Sequence, residues 1–348
     1  MGVMLFYNVN LALSVFVILS FSNWFLVWAV IELITILLIS LVSQDLSPRS
    51  VEGLSKYFII NAVASVLIIG GVVARYLLFG ESNLVGDYVG LPLVFVLLGL
   101  FIKLAVFPNP YWFVDVVSGF NMLRSFYIII VSKIVPVYLY IILVNNSHSY
   151  ALTLVGAISI LVGSISGVSQ NSIRKIVAYS SISHFGWLVI GLPWLTLEGC
   201  FFVFVCYFVM LIPILWVGGY YNIDDLNSIN RVYHQPGVII LVILSLLSLG
   251  GLPPLIGFMY KWFIFLGLLS GGQYLVCGYL IVMSIISLFY YLRISYYLYS
   301  LYWPEIKLVA LAPFLFNSWQ KNSVIWISIL LLLSITSVGI LCILPIVE

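Results

Sequence analysis

The stretch LSLGGLPPLIGFMYKW, residues 247–262, decides how this chain is read. It lies inside an apolar run, about 238–269, that is too long for one straight membrane crossing. Gly250, Gly251, Pro253 and Pro254 stand at its centre. Proline lacks a backbone donor and clashes with the preceding turn, so a helix reaching these residues is interrupted and leaves carbonyls without partners. Lys261 follows, with a charge that is costly in lipid. Irregular backbone at membrane depth is tolerated only where protein or a water-filled cavity satisfies it, and the same cavity would hydrate an ammonium. The stretch therefore reads as a broken helix in a hydrophilic path. A proline kink used only for packing gives no reason for Lys261.

The rest of the composition agrees with a membrane setting. Of 348 residues, 64% are apolar and 7% charged, against roughly a quarter charged in soluble domains. The chain reads as an all-α, polytopic membrane protein. Its net charge of +2 and the lack of a basic run or basic amphipathic helix exclude nucleic acid as an expected partner. Cys200, Cys206, Cys277 and Cys342 all sit in apolar runs without CxxC or Cys/His ligand spacing. They read as core or lipid-facing residues, with no disulfide, metal site or iron–sulfur cluster expected. The first residues, MGVMLFYNVNLALSVF, have neither a basic secretory leader nor an Arg-rich transit pattern, so the first helix is expected to be retained.

Cutting at polar and Pro/Gly clusters gives eleven expected spans: about 3–20, 23–43, 57–79, 91–107, 122–144, 150–168, 175–193, 198–220, 238–269, 273–300 and 323–345. If they alternate, Arg49, Lys56, Arg124, Arg174, Lys175, Arg231, Arg293, Lys307 and Lys321 fall on one side. Arg75 lies near the other face, and Lys103, Lys133 and Lys261 remain within or close to the membrane. By the positive-inside rule the cation-rich side is cytoplasmic or its mitochondrial equivalent, the matrix, and Met1 starts there. The loops leave no room for a soluble domain, so residues 1–348 read as one transmembrane domain.

Glu32, Lys103, Lys133 and Lys261 fall in the second, fourth, fifth and ninth expected spans. Each costs roughly 2.5–3.5 kcal/mol or more at a helix centre unless paired or hydrated. His184, in SSISHFGW of the seventh span, joins them. Lys103 is near enough to a span end to snorkel to the interface. One ion pair with Glu32 would satisfy one lysine and leave others over. His184 reads equally as a hydrogen-bonded structural residue or a proton-relay group, while Ser180, Ser181 and Ser183 read first as helix–helix contacts. Lysines whose surroundings shift between apolar and charged can gain and lose protons, which is what a proton path requires.

The fourth span also ends in prolines, Pro108 and Pro110, after Lys103. It lies five spans before the broken ninth, and Glu32 and His184 are likewise five spans apart. Two units of odd helix number would be inverted relative to one another: about 3–144 and 150–300, followed by a C-terminal helix at 323–345. Interrupted helices at matching places in inverted repeats point to an ion site at midmembrane.

Four blocks carry a family resemblance: SFSNWFLVWAVIELI (20–34), SPRSVEGLSKYFIINAVAS (47–65), QNSIRKIVAYSSISHFGW (170–187) and LSLGGLPPLIGFMYKW (247–262). In order and spacing the chain resembles the subunit 2 family of respiratory complex I, NADH dehydrogenase, in its animal form with a short N-terminus. The resemblance implies two inverted five-helix repeats with broken helices, related to cation/proton antiporter subunits. It implies a proton-translocating, non-redox core subunit in the mitochondrial inner membrane, made inside the organelle. The resemblance also aligns Glu32 with the family's membrane glutamate and Lys103 with its partner lysine. Lys133 falls at the central lysine, Lys261 at the lysine of the second broken helix and His184 at the histidine of S-S-I-x-H-x-G-W. Neighbours would be antiporter-like and small membrane subunits and phospholipid. NADH and ubiquinone would be used by the assembly, with no cofactor on this chain.

Two blocks depart from the family. Where its pattern is K-L-G-x-A-P-F-H-F-W, this chain has KLAVFPNPYW (103–112), so the histidine expected near Pro110 is absent; where it is T-W-Q-K, this chain has IVSK (130–133). Two other classes compete with the complex I reading. A stand-alone cation/proton antiporter would purify outside a large complex. A structural spacer would lose assembly but not pumping per assembled complex when Lys133 is replaced.

Overall fold

The computed structural model describes residues 2–43, 47–84, 90–144, 150–226, 228, 236–253 and 255–302. Among them every regular element is helical, and the extended contacts are two isolated bridges, Asn23 with Asn83 and Ser172 with Asp225. The helices are α1 (Gly2–Ser20), α2 (Trp24–Val42), α3 (Pro48–Phe79), α4 (Leu91–Leu104), α5 (Tyr111–Gly119), α6 (Met122–Phe126), α7 (Ser132–Val144), α8 (Tyr150–Val168), α9 (Ile173–Gly191), α10 (Leu197–Tyr220), α11 (Pro236–Gly250), α12 (Ile256–Ser270) and α13 (Tyr274–Tyr302). A π-helical turn, Tyr127–Val131, joins α6 to α7, and a 3₁₀ turn, Leu192–Trp194, extends α9.

Among the described residues seven continuous helical stretches are long and apolar enough to cross a bilayer: α2, α3, Met122–Val144, α8, Ile173–Trp194, α10 and Tyr274–Ser300. Shorter apolar helices lie at Met4–Ser20, α4, Gly237–Gly250 and α12. The expected span 323–345 and its helix lie outside the described residues, as do Arg231, Lys307, Lys321, Cys342 and Pro254.

The run 238–269 is interrupted where its glycines and prolines indicate, since the ladder stops at Gly250 and restarts at Ile256. Two sequence expectations change in detail. The span expected at 91–107 stops at Leu104. Residues 111–119, expected as part of a connection, form α5 instead, with Trp112, Phe113, Val114, Val116 and Val117 buried against α3 and α9. Nine residues are too few to cross a bilayer, so a search for spans passes over this helix.

Local chemistry accounts for the ends. Ser47 accepts the Ser50 N–H while Ser50 Oγ accepts the Ser47 N–H, a capping box that starts α3 at Pro48. The α3–α4 and α8–α9 pairs pack through glycine. A Cβ on Gly99 would come within 2.6 Å of the Ala64 carbonyl oxygen, and one on Gly163 within 2.7 Å of the Ser183 nitrogen and the Tyr179 oxygen. Small residues at such crossings let membrane helices approach closely.

Charged side chains from distant parts of the chain meet near the helix ends. Lys56 pairs with Glu52 at 2.8 Å and with Asp115 of α5 at 3.1 Å. Arg174 pairs with Asp224 at 3.4 Å and donates to the Phe120 carbonyl, just past α5. Arg293 donates to Asn171 and to the Val168 carbonyl. Arg75 pairs with Glu81 at 3.0 Å, beside the bridge that ties the start of α2 to Asn83.

Candidate functional site

Both interrupted helices end in the same backbone device. At α4 the Val106 N–H bonds the Phe101 carbonyl and the Ala105 N–H bonds that of Ile102, with Ala105 left-handed at φ 59°. At α11 the Leu252 N–H bonds the Leu247 carbonyl and the Gly251 N–H bonds that of Ser248, with Gly251 left-handed at φ 82°. These are Schellman-type ends, which satisfy two of the four orphan carbonyls and leave the others exposed. In each case a lysine takes one of the remainder. Lys133 Nζ donates to the Lys103 carbonyl at 2.6 Å, and Lys261 Nζ donates to the Gly250 carbonyl at 2.9 Å.

Pro108 and Pro110 lie in the gap between α4 and α5, where no helical N–H is needed. The chain leaving α4 is anchored to α8, since the Phe107 N–H donates to Ser159 Oγ at 3.1 Å. At the second break, α12 turns back onto the end of α11 so closely that a Cβ on Gly257 would stand 1.5 Å from the Ser248 oxygen.

The four basic candidates are enclosed by protein: Lys103 is 4% exposed, Lys133 0%, His184 3% and Lys261 6%. This removes the snorkelling reading of Lys103. Lys103 stands in the last turn of α4, where the partial negative charge of the helix end favours a cation. Its Nζ has no hydrogen-bond partner, and neither has Oε1 of Glu32 on α2. The two groups lie within coulombic reach of each other, and Glu32 also reaches Tyr57. No hydrogen bond or ion pair joins them in this arrangement.

Lys133 starts the helix that follows the π turn, and Pro136 lies one turn on. Proline at that place denies Ser132 its usual helical partner, and Ser132 Oγ itself donates back to Ile128. Local unwinding of this kind turns Lys133 inward. Its ammonium is surrounded by rings, with Phe113 at 4.5 Å, Trp112 at 5.5 Å and Phe185 at 5.6 Å from Nζ to ring centroid. Cation–π attraction in a desolvated setting is worth roughly 2 kcal/mol. Two of the three rings come from α5, the helix that the span search passes over.

His184 is bonded at both ring nitrogens: Nδ1 to the Tyr260 hydroxyl of α12 and Nε2 to the Tyr291 hydroxyl of α13, the latter at 3.1 Å. Tyr207 of α10 packs on the ring at 5.3 Å. Lys261, next to Tyr260, lies within coulombic reach of His184 and sits 5.5 Å from the Trp187 ring centroid. The structure thus brings together Glu32 with Lys103, Lys103 with Lys133, and His184 with Lys261. The Phe185 ring, next in sequence to His184, touches Lys133 on one side and Tyr207 on another. Sequence reasoning passes over Tyr207, Tyr260, Tyr290 and Tyr291. The visible signals are Tyr260 directly before Lys261 and the Tyr290-Tyr291 doublet, but in a chain with 23 tyrosines neither stands out.

Among the described residues no group of three or more His, Cys, Asp or Glu is placed to hold a metal ion. What the arrangement offers chemically is a series of protonatable groups in a low-dielectric interior, with Lys133 and Lys261 beside freed backbone and His184 between two hydroxyls.

Comparison with known proteins gives the family. The transmembrane family described as NADH:quinone oxidoreductase/Mrp antiporter matches residues 20–287. The chain is 34% identical to NADH-ubiquinone oxidoreductase chain 2 of Pisaster ochraceus, over 85% of this chain and 84% of that one. It is 35% identical to the protein of the same name from Branchiostoma floridae, over 83% and 84%, and 32% identical to that from Salmo salar, over 97% and 95%. In fold it is similar to a chain of respiratory complex I from Thermus thermophilus, with a TM-score of 0.82 at 23% identity over 93% of this chain and 76% of that one. It is also similar to a chain of the Mrp complex from Dietzia sp. DQ12-45-1b, with a TM-score of 0.72 at 20% identity over 82% and 58%. A family match over residues 20–287 and relatives at 34% and 35% identity over most of both chains identify this chain as a member of the NADH:quinone oxidoreductase/Mrp antiporter transmembrane family, among the NADH-ubiquinone oxidoreductase chain 2 proteins.

Proposed function

We propose that the chain is a proton-translocating, non-redox membrane subunit of NADH:ubiquinone oxidoreductase, and that protons pass through Glu32, Lys103, Lys133, His184 and Lys261. The observation that carries this reading is Lys133: wholly buried, ringed by aromatic side chains and bonded to a carbonyl freed by the break in α4. A buried ammonium with one backbone acceptor is expensive as a purely structural device. As a group that gains and loses a proton it has a use. Glu32 and Lys103, within coulombic reach but unbonded, form an ion pair that closes in one state and opens in another.

Around this path we infer eleven spans arranged as two inverted repeats, about 3–144 and 150–300, with a C-terminal helix at 323–345. Supporting it, α4 and α11 end alike, and each gap is followed by a short helix. The N-terminus lies on the matrix side of the mitochondrial inner membrane. The charged contacts of Lys56, Arg174 and Arg293, which tie α3, α5, α9 and α13 together, support a common cation-rich face. Other membrane subunits and phospholipid cover the outer helices, whose exposed large apolar residues include Leu5, Phe6, Phe16, Leu77 and Leu275. NADH and ubiquinone are used elsewhere in the assembly.

The test is Lys133→Met in reconstituted complex, with proton uptake per NADH oxidised compared with complex abundance on a native gel. At least a halving of the pumping ratio in assembled complex is expected. An unchanged ratio overturns the reading and leaves Lys133 a structural group.

A further inference from the structure

The buried face shared by α9, α10, α12 and α13 holds more titratable groups than the lysine series uses. Tyr207, Tyr260 and Tyr291 pack around His184 and Tyr290 packs on Tyr291, each of the four at most 1% exposed. Tyr260 and Tyr291 occupy the two nitrogens of one imidazole. A neutral imidazole has one donor and one acceptor nitrogen, and a tyrosine hydroxyl can serve either. One hydroxyl therefore accepts from the ring while the other donates to it.

The serines of α9 complete the setting. Ser180, Ser181 and Ser183 each give their hydroxyl proton to a carbonyl of their own helix, those of Val177, Ala178 and Ser180. Their oxygens are left as acceptors. Ser180 approaches Tyr291, while Ser181 and Ser183 approach Tyr207 and Tyr290 without closing hydrogen bonds. Helix contacts alone do not require two tyrosine hydroxyls on opposite nitrogens of a histidine that also feels Lys261.

We propose that Tyr291, His184 and Tyr260 form a hydroxyl–imidazole–hydroxyl relay that carries a proton between the serine-lined face of α9 and the Lys261 end of α12. The inference rests on the proton-translocating reading above and adds two residues to it. The Tyr291 O–H bond breaks as its proton passes to Nε2, and a hydronium ion accepted by the serine oxygens replaces that proton on the Tyr291 oxygen and leaves as water. The Nδ1–H bond breaks as that proton passes to the Tyr260 oxygen, whose own proton leaves toward the neutral amine of Lys261. One proton crosses, no electrons move, and the ring is left as its other tautomer. Transfer in the same sense again requires the ring and both hydroxyls to reorganise.

The experiment replaces the hydroxyls one at a time, Tyr260→Phe and Tyr291→Phe, in intact complex, with Lys133→Met prepared in parallel. Complex abundance, proton uptake per NADH oxidised and the solvent deuterium isotope effect on proton uptake are measured. Each tyrosine variant is expected to assemble, to lower the pumping ratio at least twofold and to change the isotope effect, a readout that packing alone does not move. Wild-type pumping and isotope effect in both overturn the relay. Loss of assembly in both also overturns it, since the hydroxyls are then structural clamps. If Lys133→Met abolishes pumping while both tyrosine variants are normal, the relay fails and the proton-translocating reading stands. If Lys133→Met pumps normally, that broader reading falls.

Discussion

The breaks after α4 and after α11 share a backbone ending and differ in who completes it. At the first, the freed carbonyl of Lys103 is taken by Lys133, which arrives from α7. At the second, the freed Gly250 carbonyl is taken by Lys261, which lies on α12, the continuation of the same interrupted run. One break is closed by a neighbour and the other closes on itself. The first therefore ties the position of α4 to that of α7, and a shift in either is felt as a lost bond in the other. The second is a local joint whose parts are connected by a few residues of chain. The same chemistry thus makes a coupling between helices in one place and a self-contained hinge in the other.

The largest expected effect tests how tightly the second joint is closed. In Gly257→Ala the new methyl carbon would occupy a place 1.5 Å from the Ser248 oxygen, far inside contact distance, so α12 must separate from the end of α11. Assembled complex on a native gel is expected to fall by an order of magnitude or more. Gly278→Ala, with nothing within 4 Å of its Cβ, is the control and should assemble normally. Equal behaviour of the two variants would break the claim that the second joint depends on backbone contact.

Next comes the pair of lysines. Lys133→Met and Lys261→Met each leave a carbonyl without its donor, a loss of about 1–3 kcal/mol where the carbonyl stays buried. At the first break the loss also removes a hydrogen bond between two helices, and three ring contacts with the ammonium go with it. Complex carrying Lys133→Met is thus expected to lose abundance more than complex carrying Lys261→Met, while pumping per assembled complex falls in both. Thermal inactivation of the purified complexes gives the measure. If Lys261→Met is the less stable of the two, the distinction between coupled and self-contained breaks is wrong.

How far the sequence led follows the same division. Gly250, Gly251 and Pro253 announce the second break because glycine and proline act on the backbone wherever they stand, whatever the tertiary setting. Lys133 and Lys261 are visible because charge in an apolar run is conspicuous. The partner of Lys133 was not visible, since the carbonyl it bonds belongs to residue 103, thirty positions away, and any residue offers a carbonyl. Helix α5 escaped because it is short and its apolar residues continue those around it. The rings it places on Lys133, Trp112 and Phe113, read in sequence as ordinary membrane aromatics. The tyrosines on His184 depend on which faces of α12 and α13 turn inward, and helices apolar all round carry little record of that.

The smallest expected effect lies at the residue that distinguishes the two endings. Ala105 holds a left-handed conformation, φ 59°, that Gly251 adopts without a side chain to obstruct it. The resembled family pattern also has glycine at the position of Ala105. Ala105→Gly is expected to stabilise the first break by about 1 kcal/mol, the usual cost of a Cβ in that region. The measurement is a small rise in the inactivation temperature of the complex with pumping unchanged. A fall would mean that the alanine methyl packs against its buried surroundings for more than its backbone costs.

Helix α9 has a consequence for how the protein is made. It carries Arg174, Lys175, three serines and His184, and it is the least apolar of the helices long enough to cross the membrane. Yet every one of its residues from Ile176 to Gly191 is buried, with α5, α8, α10 and α12 against it. A helix with no lipid-facing side gains little from lipid by itself. During synthesis α5 and α8 emerge before it and α10 and α12 after it, so α9 enters the bilayer before its enclosure is complete. Its residence there must be held by α8 through the glycine crossing at Gly163 and Gly186, and the finished enclosure arrives only when α12 and α13 close around His184. The most polar part of the transmembrane region is thereby the part whose placement depends most on the order in which the chain is delivered.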